Sequence, residues 1–274
     1  MNAEARSGES LRPGDEKTLR GASTGELVVA VAASDEQNRK TQRRALGRLA
    51  VGLAARARAA GVTSVAGGRW LADVFTEDVV PRLPIRDAHT LSLHYPDLNI
   101  EERAQALIRT ASATTTTVGA AGGAAAAVKT TAPPLLLTSP ALLTAETLAV
   151  ATVEVKLLAE LHENYGFPAR GGTLQRTSAY VASWVHRRGL DHLDEDPFGA
   201  TVSVAARTAL RNRLMKLLGR HLSTFGPYLT GAVAGGAINR ASTRKLAEVV
   251  CTDLRGLQDS TTGVDIGGTR LPCG

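Results

Sequence analysis

Aromatic side chains are scarce in this chain: Phe, Tyr and Trp together make up 4% of 274 residues. A sandwich core built on Tyr and Trp is therefore out of reach. The core has to come from Ala, Leu and Val, within a hydrophobic content of 43%. Small side chains let helices approach closely, and Ala is the best helix former. The two cysteines, Cys251 and Cys273, are too few for a disulfide framework and have no metal-type spacing. The six histidines are scattered. The first residues, MNAEARSGESLRPGDEK, contain no apolar h-region, so they do not read as a secretory signal. The expected compartment is the reducing cytoplasm.

Signature motifs are missing as well. There is no G-x-x-x-x-G-K-[ST] phosphate loop and no strand-flanked G-x-G-x-x-G. There is no G-x-S-x-G nucleophile elbow. Glu160-Leu-His162-Glu163 looks like a metal fragment, but residues two apart on a helix face different ways. His186, Asp191, His192 and Asp194 bracket what reads as a solvated polar turn. No catalytic, cofactor-binding or metal-ligating residue is assigned, and no cofactor is expected.

What is present is helical. The longest nearly uncharged stretch runs from Val118 to Gly166. It opens Gly/Ala-rich, breaks at Pro133, Pro134 and Pro140, and continues as an apolar helix from Ala141 to Tyr165. Leu148, Ala151, Val155 and Leu158 form one stripe of that helix; Val150, Val153, Leu157 and Leu161 cover much of the other side. A helix apolar all round is buried, in a core or in a membrane. Set into it are Glu146, Glu154, Lys156 and Glu160, which must find partners or reach the surface. Gly166 reads as its C-terminal stop.

Upstream, residues 1–24 are polar and expected to be disordered. Leu27–Ala33 is a strand or the start of a helix. Ser34 reads as an N-cap with Gln37 three residues on. The helix that follows to Ala60 has an apolar stripe of Leu46, Leu49, Leu53 and Ala57. Its remaining surface is basic: Arg39, Lys40, Arg43, Arg44, Arg48, Arg56 and Arg58 stand against Asp35 and Glu36. Such a helix is either a solvated face or a contact for an anionic surface. Its lack of interleaved aromatics argues against nucleic acid. Trp70, Leu71, Val74, Phe75 and Val79 mark another helix, closed by Pro81 and Pro84. Asp87–Leu93 reads as a short helix, Tyr95-Pro96-Asp97 as a turn, and Asn99 as a cap. Thr110–Val128 is long enough to span a bilayer, but its Ala, Gly and Thr contribute little transfer free energy.

Downstream, residues 173–189 form a helix with Tyr180, Val181, Trp184 and Val185 inward. Residues 190–200 read as an acidic loop. Val202–Thr224 reads as a helix with Leu210, Leu214, Leu217 and Leu218 inside. A Gly/Ala helix from Pro227 is expected to break near Asn239, and Thr243 to cap a last helix through Leu254. Gly119 and Gly123, echoed by Gly231 and Gly235, suggest two segments packed against each other.

Two blocks carry a family resemblance. One is the Gly/Ala segment, a proline, an apolar run, and then Glu160-Leu-His-Glu-Asn-Tyr165-Gly166. The other is Gly231-Ala-Val-Ala-Gly-Gly-Ala-Ile-Asn239 with Thr243-Arg244 after it. Together they make residues from about Thr110 to Leu254 similar to the EcsC protein family. The resemblance implies a mostly helical, bacterial protein without established catalytic residues.

The sequence thus leads to an all-α, multi-helix bundle divided into a tail (1–24), a helical region (25–109), an EcsC-like domain (110–255) and a flexible end (256–274). Glu160, Asn239 and Arg244 are expected to meet in its core, the carboxylate pairing with the guanidinium and Asn239 satisfying a broken helix end. The expected function is non-enzymatic: a cytoplasmic protein peripheral to the inner face of the membrane or to a membrane complex. The alternatives are a soluble protein-interaction module and an enzyme of unrecognised type. No nucleic-acid partner is expected.

Overall fold

The computed structural model describes residues 21–33, 39–59, 61, 68–127, 140–188 and 230–264. Among these residues the fold is all-α, with no strand. Eight helices are present: α1 (Thr24–Ala33), α2 (Arg39–Ala59), α3 (Gly68–Val74), α4 (Ala88–His94), α5 (Ile100–Ala127), α6 (Pro140–Asn164), α7 (Thr173–Arg187) and α8 (Thr230–Val264). A π turn (Phe75–Val79) and a 3₁₀ turn (Val80–Arg82) extend α3, with Pro81, which has no N–H to donate, in the opening positions of the 3₁₀ turn.

Helix α6 is the axis of the molecule. It touches α1, α2, α4, α5, α7 and α8. All eight apolar positions named on its two sides are buried. It ends in a Schellman motif: Phe167 N–H donates to the His162 carbonyl at 2.9 Å and Gly166 N–H to that of Glu163 at 3.2 Å. The reversal needs a left-handed residue, and Gly166 supplies it with φ of +82°. The α2 stripe is buried to the last residue, as is the inward set of α7. Leu27–Ala33 lies in a helix, α1, started by reciprocal hydrogen bonds between Ser23 and Glu26. Asn99 and Glu102 make the same box at the start of α5.

The most extensive pairing joins α5 to α8. They run antiparallel, since Gly119 lies against Gly235 near one end and Glu101 holds Arg255 near the other. A Cβ added to Gly119 would stand 2.6 Å from the Gly235 carbonyl oxygen, so the backbones meet with no side chain between them. The uncharged Thr114–Thr117 run of α5 faces this core. Its hydroxyls bond to carbonyls three or four residues back, such as Thr116 to Ser112 at 2.6 Å, which lets polar residues sit inside a buried helix. No described helix is long and apolar enough to cross a membrane.

Three expectations need correction. Helix α8 does not break at Asn239 and restart at Thr243; it is continuous through both. Asn239, Thr243, Leu246, Val250 and Leu254 recur at three- and four-residue spacing and are all buried, so the two polar residues are part of its core stripe. The flexible end expected from residue 256 is helical through Val264. The division at 109/110 falls inside α5, whose 28 residues cross it without interruption. The cap at Ser34, the acidic loop 190–200 and the helix 202–224 lie outside the described residues.

Candidate functional site

Two features could carry function: the carboxylates buried along α6 and the basic outer face of α2. Each was visible in the sequence, but a partner was expected only for Glu160, as Arg244, and the structure gives it Arg86 instead.

Glu146, Glu154, Glu160 and Glu163 are all buried, at spacings of eight, six and three residues, so they fan toward different neighbours. Glu146 accepts the Asn239 side-chain amide at 3.0 Å. Glu154, 0% exposed, is the hub. It accepts Trp184 Nε1 at 3.0 Å, Arg188 Nε at 3.1 Å and Thr243 Oγ1 at 3.1 Å, and ion-pairs with the Arg188 guanidinium. Arg188 also donates to Ser242 Oγ at 2.9 Å, and Thr243 lies 3.1 Å from the Thr115 hydroxyl. One carboxylate thereby links α6 to α7 and α8, with Thr115 of α5 one step away.

Glu160 is clasped by Arg86 through Nε and Nη2, both at 2.8 Å, and by Lys156 one turn back. Burial alone would raise its carboxyl. The Arg86 hydrogen bonds and the two positive charges outweigh that and hold it below the ordinary value. Burial, with Arg86 beside it, lowers the Lys156 ammonium against the opposing pull of Glu160. Glu163 pairs with Arg176 and accepts the Tyr180 hydroxyl at 3.2 Å.

The expected meeting of Glu160, Asn239 and Arg244 does not occur. Glu160 turns to Arg86, Asn239 turns to Glu146, and Arg244 is exposed on α8. The reason is register. Glu160 lies near the C-terminal end of α6, on a side closed by the loop after the 3₁₀ turn, whereas Asn239 meets α6 at Glu146, less than two turns after the start of that helix. Of the glycines read as close-packing, Gly119 and Gly235 do so; the packing of Gly123 and Gly231 lies outside the described residues. Arg86, Arg188, Thr115 and Trp184 were missed as partners. Arg188 had a signal: it follows Thr177, Val181 and Trp184 on the buried stripe of α7. Arg86 sits in an aperiodic loop and had none.

Chemically, the row reads as structure. The four carboxylates are committed to guanidinium, ammonium, indole, hydroxyl or amide donors. Among the described residues no group of three His, Cys, Asp or Glu side chains is placed to hold a metal ion. The depression lined by Leu98, Glu101, Glu102, Gln105 and Arg109 is shallow and open, and Glu101 in it is tied to Arg255 and to the Tyr165 hydroxyl.

His162 gives this network a pH signature. Its Nδ1 lies 2.8 Å from the Leu158 carbonyl and its ring packs on Tyr180. Burial, with Arg187 nearby, pushes the imidazole below its ordinary 6.5. An unfolded chain then takes up a proton that the folded chain refuses, so stability is present above about pH 6.5 and falls as pH drops below it. His162→Gln is expected to flatten the fall of the melting temperature between roughly pH 7 and 5. Parallel melting curves for wild type and variant would contradict this.

Helix α2 contains seven basic residues and no acidic one. Arg43, Arg44 and Arg58 are exposed, Arg48 is half-buried and engaged within the fold, and the side chains of Arg39 and Lys40 lie outside the described residues. Arg56 is drawn back into the protein by Asp78 and Thr24. Arg44, Val51 and Arg58 are seven residues apart, nearly two turns each, so they line up along the centre of the outer face. Val51 is 64% exposed.

No family model, curated protein or solved structure matches this chain.

Proposed function

We propose that this chain is a non-enzymatic, EcsC-like helical protein that associates peripherally with an anionic membrane surface, or with a complex embedded in it, through the outer face of α2. One observation carries the reading: a buried apolar stripe anchors α2 in the bundle while its outer face presents Arg43, Arg44 and Arg58 with no acidic residue in the helix. An anionic leaflet attracts such cations at about 1 kcal/mol each near the surface. In this reading the α6 carboxylates have a scaffolding role, holding the bundle in register behind the face. The setting that fits is the cytoplasmic side of a bacterial membrane.

A soluble protein-interaction module is the competing reading. It draws on Leu93, Ile100, Leu174, Ile238, Val249 and Leu257, large apolar side chains exposed on four other helices. Co-sedimentation of the double variant Arg43→Glu, Arg44→Glu with phosphatidylserine vesicles separates the two. The membrane reading expects a loss of more than tenfold in binding, since two attractions become repulsions. Binding equal to wild type would reject α2 as the contact.

A further inference from the structure

The membrane reading leaves open how α2 would meet the lipid, and the geometry of the helix bears on that. Its basic residues could dock end-on, through the cluster that begins at Arg39, or lie flat along the whole outer face. We infer that α2 lies flat on an anionic phospholipid surface, with Val51 at the contact line and Arg44 and Arg58 as the two ends of the footing. This rests on the proposed membrane role.

Three observations favour the flat arrangement. The first is alignment. A seven-residue step turns an α-helix by nearly two full turns, so Arg44, Val51 and Arg58 share one line with a drift of only about 20° per step. The second is what stands between the arginines. Gly47, Val51 and Ala55 are all exposed there, and Val51 is the most exposed large apolar side chain of α2. No charged side chain interrupts the centre of the face. Small residues let the helix backbone come close to the headgroup layer, and a single valine can enter it. The third is the treatment of Arg56. It points to the flank of α2, and there Asp78 and Thr24 neutralise and hold it. Arg58, two residues on, is left outward. Of the exposed arginines, Arg44 and Arg58 stand on the outer line and Arg43 beside it, whereas Arg56 on the flank is paired.

Distance separates the flat arrangement from the end-on one. Arg44 and Arg58 are 14 residues apart, about 21 Å along the axis. That is more than twice the screening length of about 8 Å at physiological ionic strength. The two arginines therefore contribute independently, each to the lipids beneath it. In a flat arrangement both count. In an end-on arrangement Arg58 is too far from the surface to matter.

The test uses the full chain and phosphatidylserine-containing vesicles whose phosphatidylcholine carries brominated acyl chains. Val51→Trp is expected to be quenched by the bromines well beyond the background of Trp70 and Trp184 in wild type, whereas Leu174→Trp on α7 is not. Arg44→Gln and Arg58→Gln are each expected to weaken binding by about fivefold, and the double variant by their product. Binding that is unaffected by Arg58→Gln, with Trp at position 51 unquenched, would overturn the flat arrangement while keeping α2 as the contact. No binding of wild type to these vesicles would remove the membrane role itself, and this inference with it.

Discussion

Replacing Gly119 with alanine is expected to lower the melting temperature by about 6–12 °C, from a loss of about 3 kcal/mol. The added Cβ would lie 2.6 Å from the Gly235 carbonyl oxygen, 2.8 Å from its carbonyl carbon and 2.5 Å from the Asn239 side-chain nitrogen. Two of these three are backbone atoms, so no side-chain rotation relieves the overlap. The helices α5 and α8 have to separate, and Asn239 has to give up its place beside Glu146. Alanine's intrinsic advantage over glycine in a helix, about 1 kcal/mol, offsets only part of this. Gly47→Ala is the control. Nothing lies within 4 Å of a Cβ there, so helix propensity acts alone and the melting temperature should rise slightly. An unchanged melting temperature for Gly119→Ala would mean that the two backbones are not in contact.

The second large effect is expected at Arg188. Changing it to methionine keeps much of the stem and removes the guanidinium, leaving the fully buried Glu154 carboxylate without this cation. Breaking a buried pair from one side costs about 3–5 kcal/mol, because the remaining charge is stranded. Glu154→Gln should cost less. It removes the charge, keeps an acceptor for Trp184 or Thr243, and leaves Arg188, which is partly exposed, free to turn toward water. Urea unfolding of both variants checks the order. A larger loss for Glu154→Gln than for Arg188→Met would show that Arg188 is not the principal counter-charge. The same variants bear on the scaffolding role, since neither should alter lipid binding once the chain is folded.

Much of this architecture was legible before any coordinates. The stripes of α2, α6 and α7 were named residue by residue and are buried, because three- and four-residue spacing of Leu and Val leaves little choice of facing side. The close approach of Gly119 and Gly235 was legible for a related reason, since two small-residue segments in one bundle gain by packing together. What failed was the reading of polar residues inside apolar helices. Asn239 and Thr243 have the chemistry of a helix break and a cap, and a local window cannot distinguish that from a core position whose partner is far away in sequence. Their partners, Glu146 and Glu154, lie 93 and 89 residues earlier. The demand for partners was readable from Glu160 in its apolar helix, but the identity of the partner was not. Arg86 arrives from a loop whose path depends on Pro81, Pro84 and the packing of α4 against α6. No periodicity encodes that. The exposed face of α2 was readable only as a basic surface; which of its arginines are drawn back into the protein required Asp78 and Thr24 to be placed in space.

We propose that the chain meets an anionic membrane through fixed surface charge, without unfolding. Flotation of the full chain with phosphatidylserine-containing and with pure phosphatidylcholine vesicles, each at low and high salt, tests it most directly. The account predicts flotation with the anionic vesicles at low salt alone, and release as salt screens the arginines. Flotation that survives high salt, or that occurs equally with neutral vesicles, would mean that apolar segments enter the bilayer, and the α5–α8 pair would have to open to supply them. No flotation under any condition would contradict the account and leave the soluble interaction module in its place.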